Sequence, residues 1–355
     1  MSREHTANSV AAKPAGTPAV GLGPINLGRE RQLVYSNPLP DALAHYEREF
    51  VESLARIRVR PVPGQVERVE GSGGSLDKAR MLLNSVRNPQ RNRGGSSPAI
   101  QLWPSLGLLD ARLWASARNR NMVVVHDPLP LRSQVGFSAI ARRLANGTPS
   151  RKRPVIVSHS DDAMVQVQRI LPRFEHRKIL HPVLTTQLDQ HRSDEATVVV
   201  AGQYKPARDL ELLAILGPML RAHGIRCRIF GRGWPEGLAG WEVTSRFLSE
   251  SEFDAVLGSA WAVLIPYNHY FQSGVALRAM ELGTVSVSRE TSFARDLMGS
   301  DFTLGSSAVA EDFRDALVTA MDSNIARLRF DAYQQAVDRS WGEALAEIQW
   351  ADSNE

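Results

Sequence analysis

The chain has 355 residues, 43% hydrophobic and 23% charged, with one cysteine and a formal net charge of +4. This is an ordinary globular composition in a chain longer than one core usually supports, so two domains are expected. A lone Cys227 in a predicted core strand excludes an internal disulfide and suits a reducing cytoplasm, and the absence of a long apolar run or a compact apolar leader argues against a membrane span or signal peptide.

The charge is uneven. Between Arg56 and Arg153, eighteen Lys or Arg face five acids, a local excess of +13, while the remainder of the chain after that window is acidic. Clusters at Arg87, Arg91 and Arg93, and at Arg142, Arg143, Arg151, Lys152 and Arg153, suggest that the first half meets something anionic. Nucleic acid is not expected, because no zinc spacing, helix-turn-helix or aromatic-basic pattern accompanies the charge. No Gly-x-Ser-x-Gly elbow and no phosphate loop ending in Gly-Lys-Ser or Gly-Lys-Thr occurs either.

In chain order, residues 1–31 are rich in Ala, Gly, Pro, Ser and Thr without periodicity and read as a disordered tail. Inside it, the string from Gly21 to Gly28 is similar to a dinucleotide loop, but no strand precedes it and no apolar helix follows, so it is read as coincidence. Order is predicted from Leu33, with a strand at 33–36, the turn Asn37-Pro38-Leu39-Pro40, and a helix capped by Asp41 with Leu43, Tyr46, Phe50 and Leu54 on one stripe. A strand at 56–61, a helix at 76–86, a basic polar loop at 88–98, a strand at 99–103 and a helix at 108–117 follow. The strongest strand of this half is Met122-Val123-Val124-Val125, followed by a helix at 137–145, a strand at 154–158 and a helix at 163–170.

Residues 176–194, containing Ile179-Leu180-His181-Pro182-Val183, read as a crossover. Beyond it, strands at 198–201, 226–230, 262–265 and 284–287 alternate with helical runs, and each strand ends in a turn rich in Gly, Ser or basic side chains: Gly202-Gln203-Tyr204-Lys205, Gly231-Arg232-Gly233, residues 266–274, and Ser288-Arg289-Glu290-Thr291. Residues 308–350 look helical, with breaks near Asn324 and Ser340, and the last piece carries Trp341, Leu345, Ile348 and Trp350 toward the first domain. Repeated strand-helix units in both halves predict an α/β protein with two facing, doubly wound, Rossmann-like domains.

In such a fold ligands sit at the carboxyl ends of the strands, where helix N-termini offer unpaired N–H groups and a positive dipole end to phosphate. Ser273 and Gly274, at the head of a predicted helix, fit that role, with Lys205, Arg208 and Arg232 at the same sheet edge to supply charge. His126 directly follows an apolar strand and precedes Asp127-Pro128, which places it at a ligand-binding end. His181 beside Pro182 reads as structural and His159 is open. Trp103, Trp114, Trp234, Trp241 and Trp261 read as core or rim, whereas Tyr267, Tyr270 and Phe271 have a claim to the cleft. No Asp-x-Asp and no clustered His/Cys set occurs, so no metal or other cofactor is expected.

Four segments resemble the retaining GT-B glycosyltransferases, a large bacterial family that moves sugar from a nucleotide-sugar donor. They are Val125-His126-Asp127-Pro128, Leu180-His181-Pro182-Val183, the Gly202-Gln203-Tyr204 loop with Lys205 and Arg208, and the run from Tyr267 to Gly283 in which Ser273-Gly274-Val275 opens a helix. The last is similar to a branch with a Tyr-rich loop followed by Ser-Gly. The resemblance implies a GT-B fold with an acceptor domain at 32–178, a donor domain at 179–334 and a terminal helix at 335–355 returning to the first. It further implies His126 and Asp127 as catalytic, and Gly202, Gln203, Lys205, Arg208, Gly231, Arg232, Tyr267, Tyr270, Gln272, Ser273, Gly274 and Val275 around the donor. Asn37 and Arg132 fall on the acceptor side. Partners would be a nucleoside-diphosphate sugar and a glycan or a phosphate-bearing lipid-linked acceptor, with residues 137–144 as an amphipathic helix able to rest on an anionic membrane at the cytoplasmic face. The family's paired acids are replaced here by Tyr270 and Arg278, which leaves a weakened nucleotide-sugar-binding protein, or a GT-B epimerase, as the alternative.

Overall fold

The structure is a computed structural model that describes residues 31–40, 43–65, 75–92, 97–129, 136–188, 192–321 and 323–350. The tail string at 21–28, Asp41 and Arg132 lie outside these residues.

Two six-stranded parallel sheets organise the chain. The first contains β1 (Arg31–Ser36), β2 (Val59–Pro63), β3 (Ala99–Gln101), β4 (Met122–Val124), β5 (Val155–Ser158) and β6 (His176–Lys178), in the spatial order β2-β1-β3-β4-β5-β6. The second contains β7 (Thr197–Ala201), β8 (Arg226–Phe230), β9 (Glu242–Thr244), β10 (Ala262–Ile265), β11 (Ser286–Arg289) and β12 (Thr303–Leu304), in the order β12-β11-β10-β7-β8-β9. The connecting helices are α1 (Ala44–Arg56), α2 (Ser75–Asn92), α3 (Asp110–Leu113), α4 (Ala139–Asn146), α5 (Asp161–Ile170), α6 (Leu210–Ala222), α7 (Glu250–Gly258), α8 (Gly274–Glu281), α9 (Ser292–Met298), α10 (Ala310–Ala320) and α11 (Ser323–Trp350).

Strands β4, β5, β7 and β10 are buried at every residue, as expected for parallel strands covered by helices on both faces. After β9 the winding of the second sheet reverses, and β10 pairs with the opposite side of β7. The carboxyl ends of β7 and β10 therefore flank a switch point, where loops diverge and leave a crevice. This fold is the GT-B-type arrangement predicted from the sequence: two doubly wound α/β halves.

Several boundaries differ from the sequence reading for identifiable reasons. The strand assigned to begin at Leu33 begins at Arg31, which pairs in register with Val59. Helix α1 starts at Ala44, with Leu43 at the cap position and no side-chain cap, and it keeps Arg56, whose guanidinium donates to Asp338 and to the Val183 carbonyl. Helix α2 runs through Pro89 into the expected loop. Buried Asn92 secures its end by donating to the Asn88 and Gln65 carbonyls and accepting from Gln65 N. The helix expected at 108–117 is only a 3-10 turn and α3, because Ser116 N turns aside to the Lys152 carbonyl.

The expected break at Ser340 is absent, and α11 is continuous there. The Ser340 hydroxyl accepts from Leu180 N, while Trp341 Nε1 donates to the Leu180 carbonyl at 3.1 Å. Trp341 is fully buried with its ring 5.4 Å from Phe50 in an edge-to-face pair, so α11 fastens the crossover to α1 of the first half. Trp341→Ala is expected to cost about 3–5 kcal/mol through lost burial and an unfilled cavity, visible as a large fall in the thermal midpoint.

A buried ionic cluster forms a second fastening. His45 Nε2 on α1 lies 2.8 Å from Glu49 and 2.7 Å from Glu281 of α8, and Arg278 joins Glu281 to Asp254 of α7. Burial alone would lower the His45 imidazole, but the two carboxylates together outweigh it and raise it to about 9. Burial, reinforced by the Glu281 charge, pushes the Glu49 carboxyl up to about 8. Both shifts mean that the folded protein retains protons which the unfolded chain releases, so the stability they contribute is full at acidic pH and is lost as pH rises from about 5 to 9. The thermal midpoint is expected to decline over that interval, and Glu49→Gln to flatten the decline.

Candidate active site

A cavity of about 590 Å³ opens at the switch point, walled by the loops after β7 and β10 and by the residues following β4. The sequence places these loops there because each directly follows an apolar strand. Of the residues expected to be catalytic or at the donor site, His126, Asp127, Lys205, Arg208, Tyr267, Tyr270, Gln272, Ser273, Gly274 and Val275 line this cavity together.

Ser273 caps α8, its hydroxyl accepting from Ala276 N at 3.2 Å. A helix leaves its first N–H groups without backbone partners, so the amides at Gly274 and Val275 form an anion-favouring end within the cavity wall. A Cβ at Gly274 would meet nothing within 4 Å. The fold therefore does not require glycine at this position.

Arg208 supplies the strongest electrostatic feature. It is 6% exposed, its Nη2 donates to the Ala201 carbonyl at 2.8 Å and its Nε to the Tyr267 hydroxyl at 3.1 Å. Trp234 and Tyr267 present their rings to the guanidinium at 4.7 and 4.8 Å. Burial lowers its pKa, yet a guanidinium stays charged. Among the described residues no carboxylate pairs with it. A Cβ placed on Gly202 would come within 4 Å of both Arg208 Nη2 and Val275 Cγ2, so the guanidinium and the first turn of α8 are neighbours.

Gly202 and Gly231 do not line the cavity. Both have positive φ, and a Cβ on Gly231 would stand 2.3 Å from the Gly202 carbonyl oxygen, so the two glycines allow two loops to pack backbone to backbone. Gln203 and Arg232 are exposed beyond the lining, with Arg232 over the Phe247 ring at 5.4 Å. Asn37 is buried at the β1–α1 turn, where it donates to Glu47 and accepts from Leu39 N, so it is a turn residue rather than an acceptor contact.

His126 is 3% exposed and stacked on Trp103 at 4.9 Å. Its Nε2 is 2.7 Å from the Leu102 carbonyl, which can only accept, so the ring proton sits on Nε2. Burial lowers its pKa, and its Nδ1 lies 3.1 Å from Gln272 Oε1. This contact ties the first half to the β10–α8 loop, as does the Ser160 hydroxyl donating to the Phe271 carbonyl at 2.9 Å. Asp127 is the only acid among the described lining residues. Burial raises its pKa, opposed by the Leu129 amide and the charges of Lys205 and His269.

Behind His126 lie His159 and His181, with ring centroids 5.3 Å from His126 to His159 and 5.0 Å from His159 to His181. His159 donates from Nδ1 to the Ile179 carbonyl and accepts the Tyr46 hydroxyl at 2.8 Å, a structural use of the histidine left open above. Burial lowers all three imidazoles, His181 to about 3, so this column is uncharged.

The two positions where the resembled family carries acids present no carboxylate to the cavity. Tyr270 donates to the Ser288 hydroxyl at 2.7 Å, and Arg278 is held by Asp254 and Glu281. The ligand atoms of His45, Glu49 and Glu281 fall within 4.8 Å of one another, a metal-compatible spacing, but Arg278 already brings positive charge to that cluster. Sequence reasoning missed this cluster, and it missed Trp103, Asn268 and His269 as cavity residues. The polar-aromatic run Asn268-His269-Tyr270-Phe271, lying between a strand and a helix, carried the signal for the last two.

No protein-family model and no curated protein matches this sequence. Solved structures do match in fold. Sucrose-phosphate synthase from Thermosynechococcus elongatus superposes with a TM-score of 0.59 at 14% identity, covering 90% of this chain and 100% of that one. HepE of Anabaena, crystallised with UDP and glucose, gives 0.56 at 11% identity over 90% and 100%. The UDP-forming trehalose-phosphate synthase of Burkholderia vietnamiensis gives 0.54 at 10% identity over 90% and 99%. These likenesses show that the chain has the fold of GT-B glycosyltransferases.

Arg208→Met should leave the unliganded protein as stable as before or more so, because it removes a buried charge that has no carboxylate partner. The same change should weaken retention of an anionic test ligand such as UDP in this cavity by about 1.5–3 kcal/mol, roughly ten- to hundredfold, the worth of a charged hydrogen bond. Tyr270→Phe should leave that retention almost unchanged. Calorimetric titration of both variants, with thermal melts, checks the contrast.

Proposed function

We propose that this protein is a glycosyltransferase that moves a sugar from a nucleoside-diphosphate sugar, with UDP the first candidate, to a glycan or lipid-linked acceptor. The observation that carries this reading is the buried Arg208, lacking a carboxylate partner, beside the N-terminus of α8 in a cavity large enough for a ligand. Support comes from the fold likeness, since HepE was crystallised with UDP and glucose and the trehalose-phosphate synthase is UDP-forming.

The chemistry follows from charge. As the sugar–phosphate bond breaks, negative charge grows on the diphosphate and positive charge on the sugar. Fixed donors aimed at the leaving group lower the barrier because they need no reorganisation. Gly274 and Val275 amides, Arg208 and Lys205 fill that role here. Asp127, whose pKa burial raises while the Leu129 amide and the charges of Lys205 and His269 oppose that rise, faces the same cavity and suits the developing oxocarbenium ion. His126 is neutral, and its Nδ1 becomes available to a sugar hydroxyl when Gln272 moves away. The leaving-group charge is met entirely by amides and cationic side chains in this scheme, so the transfer needs no essential divalent ion, and retention is proposed only from the resemblance of the four sequence segments to the retaining enzymes.

A second reading, a nucleotide-sugar-binding protein with weak catalysis, is favoured by Tyr270 and Arg278 in place of acids. The two part in experiment. UDP at a hundred times its dissociation constant should stabilise the protein by about 2.7 kcal/mol under either reading. Only the transferase should release UDP from UDP-sugars in an acceptor-dependent way, at a rate unchanged by EDTA. Gly274→Val, which places its side chain in open space and spares the fold, should abolish both the UDP-induced stabilisation and the transfer. Full binding and turnover in that variant would move the diphosphate elsewhere.

A further inference from the structure

Helix α4 is built inside out. Its small residues Ala141 and Ala145 are buried at 3% and 0%, while the bulky Ile140 and Leu144 stand 73% and 46% exposed. Residues three and four apart share one helix face, so Ile140, Arg143 and Leu144 form a single outward stripe. Folding in isolation favours the opposite arrangement, with Ile and Leu inward. Ser138 caps the helix by accepting from Ala141 N, which fixes its rotation.

The surroundings are basic and acid-free. From Phe137 to Arg153 there are five Lys or Arg and no Asp or Glu. Arg153 is engaged in packing, donating to the Thr148 and Arg173 carbonyls, and Arg142 donates to the Arg169 carbonyl. Arg143, Arg151 and Lys152 are exposed around the apolar stripe. Beside them a second cavity of about 560 Å³ is lined by Leu108, Leu129, Phe137, Arg142, Arg143 and Ile170 among others. Leu129, itself 51% exposed, borders both this cavity and the larger one at the switch point.

We infer that the α4 face is a docking surface for an anionic lipid bilayer, with Ile140 and Leu144 entering the headgroup region and Arg143, Arg151 and Lys152 pairing with lipid phosphates. Apolar area and cationic charge on one helix face are the two terms that drive interfacial binding, and each is weak alone. A protein partner would need an apolar groove and acidic groups in register with this stripe; a bilayer containing anionic lipid complements both features without any register. Leu129 then marks the path by which a membrane-held molecule reaches the larger cavity. No helix among the described residues is long and apolar enough to cross a membrane, so the contact is peripheral.

The test is sedimentation of the full-length chain with vesicles of phosphatidylcholine, alone or mixed with phosphatidylglycerol. Binding is expected only to the mixed vesicles and should fall with added salt. Ile140→Gln with Leu144→Gln, and separately Arg143→Glu with Lys152→Glu, should each reduce it by about tenfold or more. These exposed positions lie outside the donor cavity, so the UDP thermal shift, measured in parallel, should match wild type and keeps failure here distinct from failure of the transferase reading. Equal sedimentation with neutral vesicles, or full binding in both double variants, would overturn the inference. So would a concentration-dependent dimer in light scattering that the Ile140/Leu144 variant abolishes.

Discussion

Burying a guanidinium is unfavourable, because the ion loses its hydration and, unlike a lysine, cannot relieve the loss by shedding a proton. Arg208 is placed in that position at the mouth of β7 with only neutral groups to compensate: one carbonyl, one phenol and two aromatic faces. Those contacts fix its direction without neutralising it. The loops around it are shaped accordingly. Gly202 and Gly231 allow the β7 and β8 turns to press together, Trp234 donates its indole N–H to the Gly202 carbonyl, and the first turn of α8 closes the other side. What results is a crevice in which the Arg208 charge meets no carboxylate among the described residues. A diphosphate matches it in charge, and the amides of α8 match it in geometry.

The seam between the two halves treats charge in two different ways. Near the cavity it is neutral: His126, His159, His181 and Tyr46 pack as rings, each imidazole kept uncharged by burial. A neutral wall of low polarisability strengthens the field of the few fixed charges facing the cavity. Further along, the seam is ionic, with His45, Glu49, Glu281, Arg278 and Asp254 linking α1, α7 and α8. The division has a functional logic. Contacts through Gln272 and Ser160 are single polar contacts, whereas the ionic cluster and α11 hold the halves in register with buried charge and packing.

Much of this was legible in the sequence where a local rule sufficed. Continuous apolar runs such as Val198-Val199-Val200-Ala201 announce buried parallel strands, and the residues following them fall at the same sheet edge, which is why His126, Arg208 and Ser273, singled out from the sequence, line one cavity. The misses all depend on distant partners. Asn37 reads like a loop residue until Glu47 turns it inward. Gly202 and Gly231 read like phosphate-binding glycines, but their spacing to each other, set by the β7–β8 pairing, makes them packing glycines. Ser340 reads as a helix break until the Leu180 amide, far away in sequence, claims its hydroxyl. The ionic cluster joins residues more than two hundred positions apart and leaves no local pattern at all.

The missing acids at Tyr270 and Arg278 take on a different meaning in the folded chain. Helix α8 does carry an acid, Glu281, three residues beyond Arg278, but it is fully buried and faces His45, Arg278 and the Leu184 amide. At the other position the Tyr270 phenol is turned to Ser288. Carboxylates that would bind sugar and ribose hydroxyls are thus exchanged for groups that bind the protein to itself. Under the proposed function, recognition of the donor would rest on the diphosphate, through Arg208, Lys205 and the α8 amides, more than on carboxylates at these two positions. A site of that kind would discriminate strongly between charged and uncharged ligands, and with neither of these carboxylates aimed at a hydroxyl it would leave fewer groups unpaired when that hydroxyl is absent or inverted.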